Sequence, residues 1–257
     1  MQFRNLISVI AVAASAVASV SAANNIDAAW KDYPFDSSIP LPDLAIKVAG
    51  EARSLWHAHV TTVGDYAAAV ASNNKDLAKA IQPHALESAP NMTNWLSNWY
   101  TDKDALAKFQ TLFADHVATL AAIVDATKAG DDQKIADLKV KLADGGKKLS
   151  VVIESLNPEA YPKDVVFALL SEHENLAVAA GAQLIAQKWD EGYNTQITGF
   201  EQSKQVADAL AKGVFLKLAN NTVAQPDTSA PVSAAVPSAY ARWFIAPALA
   251  AAVALAL

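Results

Sequence analysis

Cysteine is absent from all 257 residues, which excludes disulfide staples and thiolate metal sites alike. Burial alone must hold such a fold. Glycine and proline are sparse, at 9 and 11 residues, and they mostly separate long segments instead of breaking them into short ones. No stretch alternates apolar and polar residues for long enough to suggest a sheet strand. Basic residues are outnumbered: the formal net charge is −6, and about −8 once Arg4 and Arg242 leave with the terminal segments. An acidic domain is a poor match for nucleic acid or anionic lipid, so nucleic-acid partners are not expected. The usual catalytic signatures are missing as well. There is no G-x-S-x-G, P-loop or dinucleotide fingerprint, no H-E-x-x-H of zinc peptidases, and no Glu-x-x-His of di-iron bundles.

Both ends of the chain carry processing signals. "MQFRN" followed by "LISVIAVAASAVASV" and the small residues Val20-Ser21-Ala22 fits a secretory signal peptide over 1–22. At the other end, "WFIAPALAAAVALAL" closes the chain behind a Ser/Ala/Pro spacer. That pattern fits a GPI-anchor signal over 234–257 with attachment at Ser233, or alternatively at Ser229. The expected partner is then the outer leaflet of the plasma membrane, together with cell-wall polysaccharide or protein, and the location is the extracellular face of the membrane or the cell wall. Between these ends the sequence predicts an irregular strap over 23–42, a helical domain over 43–219 and a Ser/Pro/Ala-rich stalk over 220–233. Asn91-Met92-Thr93 and Asn220-Asn221-Thr222 are sequons, so Asn91 and Asn220 are expected at the surface as glycan acceptors.

Helical periodicity dominates the central region. The expected helices span Asp43 to Ala71, Asn74 to Gln82 (ending near Pro83), a segment resuming after Pro90, and one starting at Thr101 and stopping at Gly130. Three more are expected over Asp132 to Leu156, Lys163 to Lys188 and Asp190 to Leu218. Gly145-Gly146 is a weak point in the fourth long segment. The fold class is all-α: an antiparallel bundle of about six helices arranged as three helical hairpins.

Three histidines repeat with that architecture. "LWHAHV", "LFADHV" and "LLSEHE" place His59, His116 and His173 at a constant offset of 57 residues, roughly the length of one helical hairpin. An apolar residue recurs at Trp56, Phe113 and Leu170. Leu55, His59, Val63, Tyr66 and Val70 share one helix face, as do Leu112, His116, Leu120, Ile123 and Ala126, and Leu169, His173, Leu176, Ala180 and Leu184. All three imidazoles therefore point inward at similar heights. Three histidines with one or two carboxylates would suit zinc, iron or copper. Asp76 and Asp208, in the second arms of the first and third hairpins, are the carboxylates chosen here as metal ligands. The second hairpin offers only Gln133 and Val151 at matching offsets.

The remaining polar and aromatic residues have simpler explanations. His57 is expected exposed, and His84, after Pro83, could cover one end of a pocket. "DKD" at Asp102 to Asp104 reads as a helix start. Trp95 and Trp99 are expected in the core before sugar stacking.

The segments "SLWHAHVTTV", "NNKDLAKAIQPH", "LFADHVATLAAIVDATKAGD", "IESLNP" and "ADALAKGVFLKL" resemble a little-characterised family of all-helical bundle proteins with repeated Leu-x-x-x-His helices. Its bacterial members sometimes carry a glycosyltransferase label, which nothing in these residues supports. The resemblance covers roughly Arg53 to Leu218 and implies the same histidines, His59, His116 and His173, together with Asp76 and Asp208. The bacterial pattern has Arg at the place of Gly64 and Asp near Lys148. Three functions stay open: a divalent-metal-binding surface protein, a structural or interaction protein of the cell wall, and a metal-dependent enzyme.

Overall fold

A computed structural model describes residues 43–220 as helices joined by short turns, with side chains placed over 46–217. The signal-peptide, strap and GPI-signal segments, with Ser229 and Ser233, lie outside these residues. Among the described residues the helices are α1 (Asp43–Ala71), α2 (Lys75–Leu86), α3 (Ser88–Ser97), α4 (Lys103–Ala129), α5 (Asp132–Leu156), α6 (Lys163–Ile185) and α7 (Trp189–Asn220), and no strand occurs. This is the all-α bundle that the periodicity predicted.

Short polar side chains mark the helix starts. The carboxylates of Asp102 and Asp131 and the amide oxygen of Asn74 accept hydrogen bonds from backbone N–H groups of the following turn, which satisfies donors that the helix cannot. The cap of α4 is thus Asp102, not Thr101. Gly130 ends that helix in the left-handed conformation at φ 70°, as its sequence predicts. Asp132 to Leu156 runs as one helix straight through Gly145-Gly146.

The second arm of the first hairpin departs from expectation. Pro83 lies inside α2, which continues to Leu86. Glu87 then joins α2 to α3 with backbone still in the right-handed helical region. Pro90 sits in the first turn of α3, where its missing N–H has no helical partner to lose. The arm is therefore two helices joined at Glu87, four residues after Pro83.

The bundle is organised around its histidine-bearing helices. α1, α4 and α6 each touch the other two, while α4 with α5 and α1 with α2 and α3 pack as hairpin arms. On α1 the buried line runs through Val48, Ala52, Trp56 and His59; Leu55 is only partly buried. One layer of the main core joins the repeat-equivalent residues Trp56, Phe113 and Leu170, none more than 2% exposed. Trp56 meets Phe113 edge-on with ring centroids 5.7 Å apart. Trp95 is buried beneath α1 and Trp99 packs partly buried against the same core, which supports packing over an exposed sugar platform.

α7 closes one side. Val206, Ala207, Leu210, Ala211 and Val214 are buried in the main core. The Tyr161 hydroxyl donates to the Leu210 carbonyl at 2.6 Å and lies 2.9 Å from the Tyr100 hydroxyl. Gly213 makes room for that ring, since a Cβ there would overlap Tyr161. No described helix is long and apolar enough to cross a membrane.

Two helical glycines should therefore respond oppositely to alanine. Nothing lies within 4 Å of a Cβ on Gly145, so Gly145→Ala should stabilise the protein by up to about 1 kcal/mol through helix propensity. Gly213→Ala should destabilise it by roughly 1–3 kcal/mol, because Tyr161 must move in a packed core. Urea denaturation of the two variants checks both signs.

Candidate metal centre

His59 on α1, His116 on α4 and His173 on α6 come together in the core, at 1%, 5% and 2% exposure. Their ring centroids form a nearly equilateral triangle with sides of 5.7, 5.4 and 5.8 Å. Each ring offers a nitrogen within 4.8 Å of those of the other two. The 57-residue offset has thus brought three distant imidazoles to one point. The reason is geometric: equivalent turns of three mutually packed helices carry them at the same height.

The Nε2 atoms of His59 and His173 are 3.3 Å apart. Two nitrogens bound to one tetrahedral ion at ~2.1 Å would lie about 3.4 Å from each other. Trp56 packs edge-on against both rings at 5.7 and 5.5 Å, and Phe113 closes on His59 and His116 at 5.0 and 5.5 Å. These aromatic walls keep the rings from turning away.

A carboxylate completes the cluster, and it is not one chosen from the sequence. Glu174, 4% exposed, brings its Oε1 to 3.3 Å from Nδ1 of His116. The approach is not aligned as a hydrogen bond, so both atoms remain unsatisfied. Gly146 of α5 makes this placement possible: a Cβ there would stand 2.9 Å from Glu174 Oε1. The glycine that looked like a weak point in α5 is the slot for a buried carboxylate. Glu174 follows His173 directly, and adjacent helical residues face about 100° apart. That divergence lets Glu174 serve the histidine of the neighbouring helix and not its own neighbour.

The carboxylates expected at the site lie elsewhere. Asp208 is about half exposed and forms a two-pronged pair with Arg53, at 2.6 and 2.7 Å. Asp76 is exposed in the first turn of α2. The two departures from the resembled pattern also have plain locations. Lys148 is exposed on α5, and at Gly64 the Gln196 amide fills the space that a Cβ would need. His57 is exposed and its ring lies 5.0 Å from Phe200. His84 is exposed, 3.3 Å from Glu87. Asn91 is half-buried in α3, with Thr93 of its sequon buried and bonded to the Ala89 carbonyl; this is a more enclosed position than the sequon predicted. Asn220 ends α7.

Burial governs the charge of the cluster. Desolvation first, and then repulsion from His173 and His116, hold His59 well below the ordinary histidine value of 6.5. Desolvation, then His116, push His173 down to about 3. Both rings are therefore neutral at physiological pH and keep a lone pair available for coordination. Nδ1 of His59 and His173, both ring nitrogens of His116 and Oε1 of Glu174 have no hydrogen-bond partner in the protein. Each such orphan costs on the order of 1–3 kcal/mol. Three imidazoles beside a carboxylate, buried and under-satisfied, are a donor set that a divalent transition ion fits.

No family model, curated protein or solved structure matches the chain.

Linkage gives the first test of this centre. A ring that titrates at about 3 when folded and 6.5 when unfolded takes up its proton only on unfolding. The stability it contributes is fully present above 6.5 and is lost as pH falls towards 3. Metal-free protein should therefore lose stability through this window by up to about 1.4 kcal/mol per pH unit on account of His173, with His59 acting in the same direction. Denaturant midpoints measured from pH 7 to pH 4 should show a shallower slope for His173→Gln than for the wild type.

Proposed function

We propose that this protein binds a divalent transition-metal ion at the extracellular face of the cell, through His59, His116 and His173. With Glu174 Oε1 standing 3.3 Å from Nδ1 of His116, Nε2 of that ring would be the nitrogen to hold the ion, as in carboxylate–histidine–metal arrangements. Zinc, iron and copper all accept three imidazoles. The observation that carries the reading is the convergence of three buried nitrogens within 4.8 Å of one another, with burial keeping the rings of His59 and His173 neutral. The terminal segments of the sequence support secretion and GPI anchoring, which would hold the centre outside the plasma membrane.

A purely structural set of core histidines is the poorer account. Such rings would satisfy one another, yet only the His59–His173 pair makes a ring-to-ring hydrogen-bond contact, and Nε2 of His116 has no hydrogen-bond partner in the protein.

Elemental analysis of protein purified from metal-replete medium tests the proposal. A single tightly held ion per chain is expected, and it should be lost from the His59→Ala/His116→Ala/His173→Ala variant. Should that variant misfold, Glu174→Gln provides an independent arm. It removes the charge facing His116 with little change of shape, and affinity should fall about 10–100-fold. A folded wild-type protein that takes up no ion, or takes up as much as the triple variant does, would overturn the reading.

A further inference from the structure

A cavity adjoins the histidine cluster. It has a volume of about 40 Å³ and is lined by His59 and His173 on one side. Most of the remaining wall is aliphatic: Val63 of α1, Leu120 and Ile123 of α4, and Leu176, Gly181 and Leu184 of α6. On the α7 side stand Thr195 and Gln196, both partly exposed. Gln196 lays its amide into the notch left by Gly64, so a flexible polar side chain covers the outer rim of an otherwise apolar space.

We infer that this cavity is a binding site for a small, uncharged, weakly hydrogen-bonding molecule of the dioxygen class, delivered to the His59–His173 edge of the centre. Three features select that class. The volume admits a diatomic molecule and excludes sugars, nucleotides and peptides. The wall carries no carboxylate, lysine or arginine, so an anion or hydrated cation would lose its solvation without replacement. Aliphatic cavities of this kind take up apolar gases. α1, α4 and α6 supply a rigid wall, whereas the Gln196 side chain can swing out from Gly64 without disturbing the helices. Occupation of the cavity needs no metal. Delivery to an open coordination position rests on the metal reading above, and the two are tested apart.

The first measurement uses the metal-free full chain under oxygen pressure, with methyl resonances followed by NMR. Dissolved dioxygen is paramagnetic and speeds relaxation of the protons it meets. Methyls of Leu120, Ile123 and Leu184 should relax faster than the equally buried methyls of Leu149, Ile153 and Val214, which lie in the main core away from the cavity. Ala177→Leu should abolish the difference, because residue 177 also lines the cavity and a leucine there would fill it. Gly181→Ala is the milder arm: its Cβ would lie 3.3 Å from Val124 Cγ2 and should reduce the effect. Equal relaxation of both methyl groups in the wild type would overturn the inference, whatever the metal content. The second measurement follows nitric oxide binding to iron(II)-loaded protein by electron paramagnetic resonance. Ala177→Leu should bind nitric oxide more slowly than wild type at unchanged iron content, and Gln196→Ala faster. Unchanged rates in both variants would overturn delivery through the cavity, whereas failure to load iron at all would fall on the metal reading and leave the oxygen-relaxation result standing.

Discussion

Removing three imidazoles and a carboxylate from water is the constraint on which the rest of this bundle depends. Each group gives up hydration that must be replaced, and a helical core offers few replacements because its backbone donors and acceptors are already spent on one another. The chain meets the constraint by keeping His59 and His173 neutral, packing Trp56 and Phe113 against the rings, and holding them together at the crossing of α1, α4 and α6. Those steps fix the rings without satisfying them. The remaining deficit is what a Lewis acid would remove, so the stability of the fold and the chemistry of its centre are one problem.

The three supporting helices are equivalent in more than their histidines. Trp56, Phe113 and Leu170 form the layer on one side of the rings, three residues before each histidine, and all are buried. The polar and small residues then break the equivalence. Glu174 on α6 has its slot at Gly146 on α5, and Gln196 on α7 has its notch at Gly64 on α1. One glycine admits a carboxylate on one side of the cluster, and the other admits an amide at the rim of the adjoining cavity. In both cases a missing Cβ lets a polar side chain from another helix reach a place that a symmetrical bundle would have closed.

Much of this was legible in the sequence because it depends on local chemistry or on period. The limits of α1 and α5 follow from helical periodicity, and the end of α4 from Gly130. The convergence of His59, His116 and His173 follows from a constant offset that matches one hairpin. The errors have a common source. Choosing Asp76 and Asp208 assumed that every second arm presents the same face inward. The arm carrying Asp76 is broken into α2 and α3 after Pro83, and Asp208 pairs with Arg53 at the surface. Glu174 was passed over because its neighbour in sequence is not its partner in space. The signal was present nonetheless: a glycine within a long helix marks close approach by something from elsewhere, and Gly146 is that glycine.

The central claim is that one interior point is shared by three histidines and by neither of the others. Nitrogen-15 spectra of the imidazole side chains, recorded through a stepwise zinc titration of metal-free protein, test it most directly. One ring nitrogen each of His59, His116 and His173 should shift together and saturate at a single equivalent, while His57 and His84 keep their positions. Shifts confined to His57 and His84, or three buried rings responding at different stoichiometries, would contradict it.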